Sequence, residues 1–76
     1  MSVFVNPLKS EKAKFREETS QRIQNHKRAI YYLEAAIRNH TEAAKHYEEG
    51  NHELAVLSNV EAHNNIEMAT QRYKTT

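Results

Sequence analysis

Five histidines are the side chains of this sequence with the widest range of chemistry. Imidazole nitrogen binds zinc and related metal ions, and it titrates near neutral pH. If the chain forms an antiparallel hairpin turning near residue 51, residues whose numbers sum to about 102–103 share a layer. His40 and His63 meet this condition, and Glu67 lies one helical turn beyond His63. These three residues are the candidate metal-binding cluster.

The same histidines also suit a purely structural role. A polar layer of His40 with His63 or with Asn59 would fix the register of two packed helices, as buried polar residues do in coiled coils. No helix segment carries a His-x₃-His or Glu-x-x-His pair, so the structural role is favoured and no metal or other cofactor is expected. We expect His26, His46 and His52 to be solvated or to cap a helix.

No other residues have the spacing of a catalytic site. The chain has no cysteine and one glycine, which excludes a thiol nucleophile, a disulfide and a glycine-rich phosphate loop. Ser10, Ser20 and Ser58 stand outside any nucleophile motif. The sequence predicts a protein that is not an enzyme.

The elements that position these residues meet at Gly50, the only glycine. A glycine after a helical pattern closes the last turn in a left-handed conformation. Asn51 can then cap the next helix, and Glu53 falls in its first turn, where the helix dipole favours an anion. So short a connection predicts two antiparallel helices that pack together.

The fold class predicted is all-α, an antiparallel helical hairpin. Asn6 and Pro7 form a start signal, so residues 1–6 are expected to be an extended arm and residues 7–76 a single domain. The first helix spans about 7–49 and the second about 52–74. Polar residues leave open a kink at 19–26, because their side chains compete for backbone hydrogen bonds.

Heptad spacing predicts which residues face the other helix. The proposed seam of the first helix is Ile23, His26, Ile30, Leu33, Ile37, His40, Ala44 and Tyr47; that of the second is His52, Val56, Asn59, His63, Ile66, Thr70 and Tyr73. Alanine recurs every seventh residue beside each seam, at Ala29, Ala36 and Ala43 and at Ala55, Ala62 and Ala69. The pattern predicts close approach of the two backbones along that edge.

Further apolar residues lie away from this seam. They are Leu54, Leu57, Val60 and Met68 in the second helix, with Leu8 and Phe15 early in the first. A chain of 76 residues without disulfides has a marginal core. We therefore expect these residues to form an interaction surface in a homo-oligomer, a dimer with a four-helix bundle. The alternative is a monomeric three-helix bundle, with a bend near 19–26.

Charge is divided unevenly along the chain. Residues 1–28 hold seven basic and three acidic residues, a net +4, whereas the remainder holds four basic and seven acidic residues, a net −3. Lys9, Lys12, Lys14 and Arg16 are the candidates for nucleic-acid contact, since basic side chains neutralise phosphates. No groove-reading motif or set of stacking aromatic residues accompanies them, so a solvated helix face is favoured.

The stretch from Ala43 through Tyr47, Gly50, Asn51 and His52 to Ala55 resembles the inter-helix turn of tetratricopeptide-type hairpins and of the MIT and HEPN helical domains. The resemblance implies a helical hairpin whose tyrosine and alanines pack at the turn. A 34-residue repeat and a closing proline, which a tetratricopeptide array would have, are missing. The segment is also similar to small histidine-rich bacterial helical proteins of unassigned function, which implies no activity.

Together these patterns predict a non-catalytic helical interaction protein that self-associates and binds a protein partner. The alternative is a small accessory protein that binds a metal through the histidines or nucleic acid through the basic segment. No apolar run reaches the length of a membrane span, and the first residues lack a signal-peptide pattern. A cytoplasmic location without membrane contact is expected.

Overall fold

The computed structural model describes the backbone of residues 7–74 and the side chains of residues 11–72. Within this range the chain consists of two α-helices, α1 (Pro7–Glu48) and α2 (His52–Lys74). The all-α hairpin and the bounds of both helices are confirmed to within one residue. The expected arm of residues 1–6 lies outside the described residues.

The turn between the helices has the geometry that its sequence predicts. Gly50 has a φ of 80°, in the left-handed region. The amide of Asn51 donates to the carbonyl of His46 at 2.8 Å, and the amide of Gly50 donates to the carbonyl of Tyr47 at 3.1 Å. These two bonds form a Schellman motif, which satisfies carbonyls left free at the end of α1. The carbonyl of Asn51 accepts from Ala55 at 3.0 Å and so starts α2.

Replacing Gly50 by alanine is expected to lower the free energy of unfolding by about 1 kcal/mol, the scale of the left-handed penalty for a residue with a Cβ atom. No atom lies within 4 Å of the position a Cβ would take, so the backbone conformation alone sets this cost. Gly50→Asn is the control, because asparagine tolerates the left-handed region and should lose less. Equal thermal stability of Gly50→Ala and the parent chain would contradict this account of the turn.

Helix α1 is continuous through the predicted weak points at 19–26. It has 42 residues against 23 in α2, about 63 and 35 Å at ~1.5 Å per residue. The Cα atoms extend 78 × 12 × 12 Å, so the molecule is a rod, and within residues 7–74 no third helix folds back on the hairpin. The kink and the monomeric three-helix bundle are therefore both wrong.

The seam between the helices is made of the alanines themselves. Ala55, Ala62 and Ala69 are completely buried, and Ala29, Ala36 and Ala43 are buried with at most 6% of their surface exposed. Ser58 is the remaining buried residue among those the structure describes. Small side chains allow the two helix backbones to approach closely, which places the alanine stripe at the centre of the contact.

The predicted seam was wrong by one heptad position. Ile23, Ile30, Ile37 and Tyr47 of α1 and Val56 and Ile66 of α2 are exposed by 37–65%, and His26, His40, Ala44, His52 and His63 are exposed as well. Leu33, Asn59 and Thr70 are half-buried, and the side chain of Tyr73 lies outside the described residues. One residue corresponds to about 100° around a helix, so the large side chains move from the centre of the contact to its flank.

Candidate interaction surface

The two helices meet along two unlike edges, and histidines mark the first. The rings of His40 and His63 have centroids 6.3 Å apart and cross at 75°. The rings of Tyr47 and His52 lie 5.7 Å apart at 71°. The predicted layer of His40 and His63 is present, but both imidazoles are exposed and do not form a buried polar layer.

The second edge carries side-chain amides. Asn65 Nδ2 donates to Asn39 Oδ1 at 2.8 Å in a partly buried position. Asn39 Nδ2 in turn donates to Glu61 Oε2 at 3.2 Å. These bonds supply the cross-helix polar layer that was expected from the histidines. Sequence reasoning missed it, although Asn39 and Asn65 each lie three residues after a seam alanine.

His46 belongs to the packed side of α1. It lies three residues after Ala43 and is half-buried. Its Nδ1 is buried and contacts no hydrogen-bonding group among the residues that the structure describes. The expectation that His46 is solvated is therefore wrong, because the true seam runs through its heptad position.

A broad apolar surface flanks the histidine edge. In α1, one row at heptad spacing consists of His26, Leu33 and His40. A second row consists of Ile23, Ile30 and Ile37, each three residues before a member of the first. The two rows are therefore neighbours on one side of the helix. In α2, Val56 lies one heptad before His63, and Ile66 lies one turn after it. We call this surface the isoleucine face; its members are Ile23, Ile30, Leu33, Ile37, His40, Val56, His63 and Ile66. Sequence reasoning found these residues but placed them inside the hairpin.

Glutamates border the isoleucine face on the hairpin. Glu34 lies one turn after Ile30, and Glu48 lies one turn after Ala44, which continues the isoleucine row. In α2, Glu53 lies one turn before Val56 and Glu67 one turn after His63. All four are exposed. We call these four residues the acidic rim.

The N-terminal half of α1 continues the same face with the opposite charge. Residues 7–28, here called the overhang, extend beyond the end of α2 and are mostly exposed between 11 and 28. Phe15, Thr19 and Ile23 follow one another at intervals of four residues, so they share a side of the helix. Lys12 and Arg16 lie beside them, also exposed. Of the acidic residues, Glu11 lies one turn before Phe15 and Glu18 one turn after it, whereas Glu17 falls on another side of the helix.

The residues chosen from the sequence as an interaction surface are spread over more than one side of the molecule. Leu54, Leu57 and Val60 are exposed by 49%, 59% and 49%, Phe15 by 64%, and Met68 is half-buried. Leu57 lies on the outer face of α2, away from the seam, and Val60 lies between it and Val56. The side chains of Leu8 and Lys9 lie outside the described residues, whereas Lys12, Lys14 and Arg16 are exposed on the overhang.

The histidine contact brings two candidate metal ligands together. Glu67, the third candidate, is exposed one turn from His63. Within residues 7–74, no group of three His, Asp or Glu side chains is arranged to hold a metal ion. Two imidazoles alone leave at least two positions of a tetrahedral zinc site to be filled by other ligands.

Comparison with known proteins gives no family for this chain: no family model, curated protein or solved structure matches it. In the described part of the chain, no helix combines the length and apolar character needed to cross a membrane.

Proposed function

We propose that this protein is a non-catalytic helical interaction protein, which forms a homodimer of four helices and binds a protein partner. The isoleucine face is the observation that supports this proposal most directly. Its α1 isoleucines Ile23, Ile30 and Ile37 recur at heptad spacing and are exposed by 49–65%, and Ile66 of α2 is exposed by 37%. Among the described residues no large side chain is fully buried, so the hairpin core consists of alanine and one serine. Such a core stabilises little by itself.

The area of exposed surface supports the same proposal. The accessible surface is 6365 Å², whereas a compact monomer of 8.9 kDa would have about 4,800 Å². The excess is roughly 1,500 Å², and a standard protein interface buries about 800 Å² on each partner. One chain therefore has more surface than a stable dimer needs to bury.

Part of the apolar surface lies away from the isoleucine face. Leu57 lies on the outer face of α2 and is exposed by 59%, and Val60 lies between it and Val56 of the isoleucine face. A dimer formed through the isoleucine face would leave this outer face accessible. We assign it to a protein partner, with Leu54 and Met68 beside it.

Dilution of the purified chain tests the proposal. If folding is coupled to dimerisation, the midpoint of thermal unfolding follows mass action and falls by about 2–5 °C for each tenfold dilution. An unchanged midpoint over the accessible concentration range would contradict self-association.

The contact between His40 and His63 favours a second candidate function, metal binding. Under this alternative, zinc raises the thermal midpoint of the parent chain but not that of a His40→Gln variant, since a ligand that binds only the folded state stabilises it. Under the interaction proposal, zinc leaves both midpoints unchanged.

A further inference from the structure

We propose that the partner of the isoleucine face is a second copy of this chain in antiparallel orientation, with the basic overhang of each copy seated on the acidic-rimmed hairpin of the other. This inference rests on the proposed self-association and specifies its geometry. The dimer axis then passes near the middle of α1, around residues 26 and 27. Each end of the dimer contains three helices in cross-section: α1 and α2 of one copy and the overhang of the other.

The unequal lengths of the helices support this arrangement. The layer that pairs His40 with His63 places Lys74, the last residue of α2, opposite Ala29. Ala29 is buried at 1%, whereas most side chains between 11 and 28 are exposed. The overhang is thus about 33 Å long, close to the ~35 Å length of α2. An antiparallel partner would place a helix of matching length along each hairpin.

The exposed apolar residues of the overhang also support a second copy of the chain as the partner. Phe15 is exposed by 64% and Ile23 by 49%, and no segment of the same described chain covers them. They lie on the side of α1 that continues into the isoleucine face. In the antiparallel pair, Ile23 of each copy falls near Ile30 of the other, so the isoleucine rows meet across the dimer axis.

Charge selects the antiparallel orientation over the alternatives. Lys12, Arg16 and Glu11 all lie beside Phe15 on the overhang, but residues 1–28 carry a net charge of +4, whereas the rest of the chain carries −3. Overhang against overhang would oppose two segments of net positive charge, and hairpin against hairpin would oppose two segments of net negative charge. Of these three pairings, overhang against hairpin brings segments of opposite net charge together, and the two-fold axis makes this contact twice.

Single cysteines distinguish the three dimers, because the chain has no cysteine of its own. Thr19, His26 and His40 are separated by one and two heptads and therefore share one side of α1. A cysteine near a two-fold axis faces its own copy and forms a disulfide when the Cα atoms lie within about 7 Å. Under mild oxidation, we expect His26→Cys to form a covalent dimer rapidly, and Thr19→Cys and His40→Cys at least tenfold more slowly.

The pattern of cross-linking separates failure of this inference from failure of the proposed function. Preferential linking of Thr19→Cys would indicate overhangs paired with each other, and preferential linking of His40→Cys would indicate paired hairpins. Either result, or a dimer in solution that links at none of the three positions, overturns the antiparallel geometry while self-association stands. A chain that sediments as a monomer at every concentration overturns both.

Charge reversal gives a second readout that does not depend on oxidation. Lys12→Glu with Arg16→Glu should weaken the dimer by about 10–100-fold, since each copy loses its attraction to the acidic rim and gains repulsion. The matched control, Lys14→Glu with Arg28→Glu, changes the net charge equally on the other side of α1 and should leave dimerisation nearly unchanged. Equal weakening by the two pairs would contradict the assigned contact.

Discussion

Replacing Ala62 by leucine is expected to lower the free energy of unfolding by about 1–3 kcal/mol. Ala62 is completely buried at the centre of the alanine seam, and Ala36 is 97% buried on the facing helix. A leucine at either position would force the helix backbones apart and disturb the neighbouring alanines and the Asn39–Asn65 hydrogen bond. A domain of this size has a total stability of only about 4–11 kcal/mol, so the loss should be plain in denaturant unfolding.

Ala44→Leu is the matched control, since Ala44 is exposed in α1, the helix that contains Ala36, next to the buried Ala43. The substitution is the same, but the new side chain points away from α2 and adds to the isoleucine row. We expect stability equal to that of the parent chain, or slightly higher. A stabilised Ala62→Leu or Ala36→Leu chain would mean that the alanine stripe does not form the helix contact.

Replacing Ile30 by glutamate is expected to dissociate the dimer. Ile30 lies at the middle of the isoleucine face, and burial of an isoleucine contributes about 1.5–3 kcal/mol. A two-fold interface contains the residue twice, so the dissociation constant should rise by at least about 100-fold. The new carboxylate would also lie one turn from Glu34, where a like charge is unfavourable.

Tyr31→Glu provides the control for Ile30→Glu at the adjacent residue. Tyr31 is even more exposed than Ile30, at 64% against 53%, but it projects from a different side of α1 and contacts the ring of Tyr32 at 5.4 Å. Its replacement should leave the dimer intact, as measured by sedimentation. Equal dissociation of the two variants would show that the isoleucine face is not the interface.

The bounds of the two helices follow from a few residues at the helix ends. Asn6 and Pro7 predict the start of α1, and Gly50 and Asn51 predict its end and the start of α2, because each residue suits one backbone conformation. No such local signal fixes how each helix is rotated about its own axis. Alanine and isoleucine both recur every seven residues in α1, one position apart, so either row satisfies the heptad pattern.

The choice between these rows depends on packing rather than on hydrophobicity. Ranking by apolar character favours Ile30 and Ile37, whereas close approach of two backbones favours Ala36 and its row. Once the alanine row is at the centre, Asn39 and His46 follow as its neighbours and the histidine pair moves to an exposed edge. The Asn39–Asn65 hydrogen bond could therefore not be predicted from the sequence, because it depends on how both helices are rotated about their axes.

The molar mass of the untagged chain tests the central claim most directly. Sedimentation equilibrium should be measured over a roughly hundredfold range of micromolar concentrations, because a dimer dissociates on dilution. Self-association through the isoleucine face predicts a mass that rises with concentration towards twice the chain mass of 8.9 kDa. A mass that stays at 8.9 kDa throughout would contradict it.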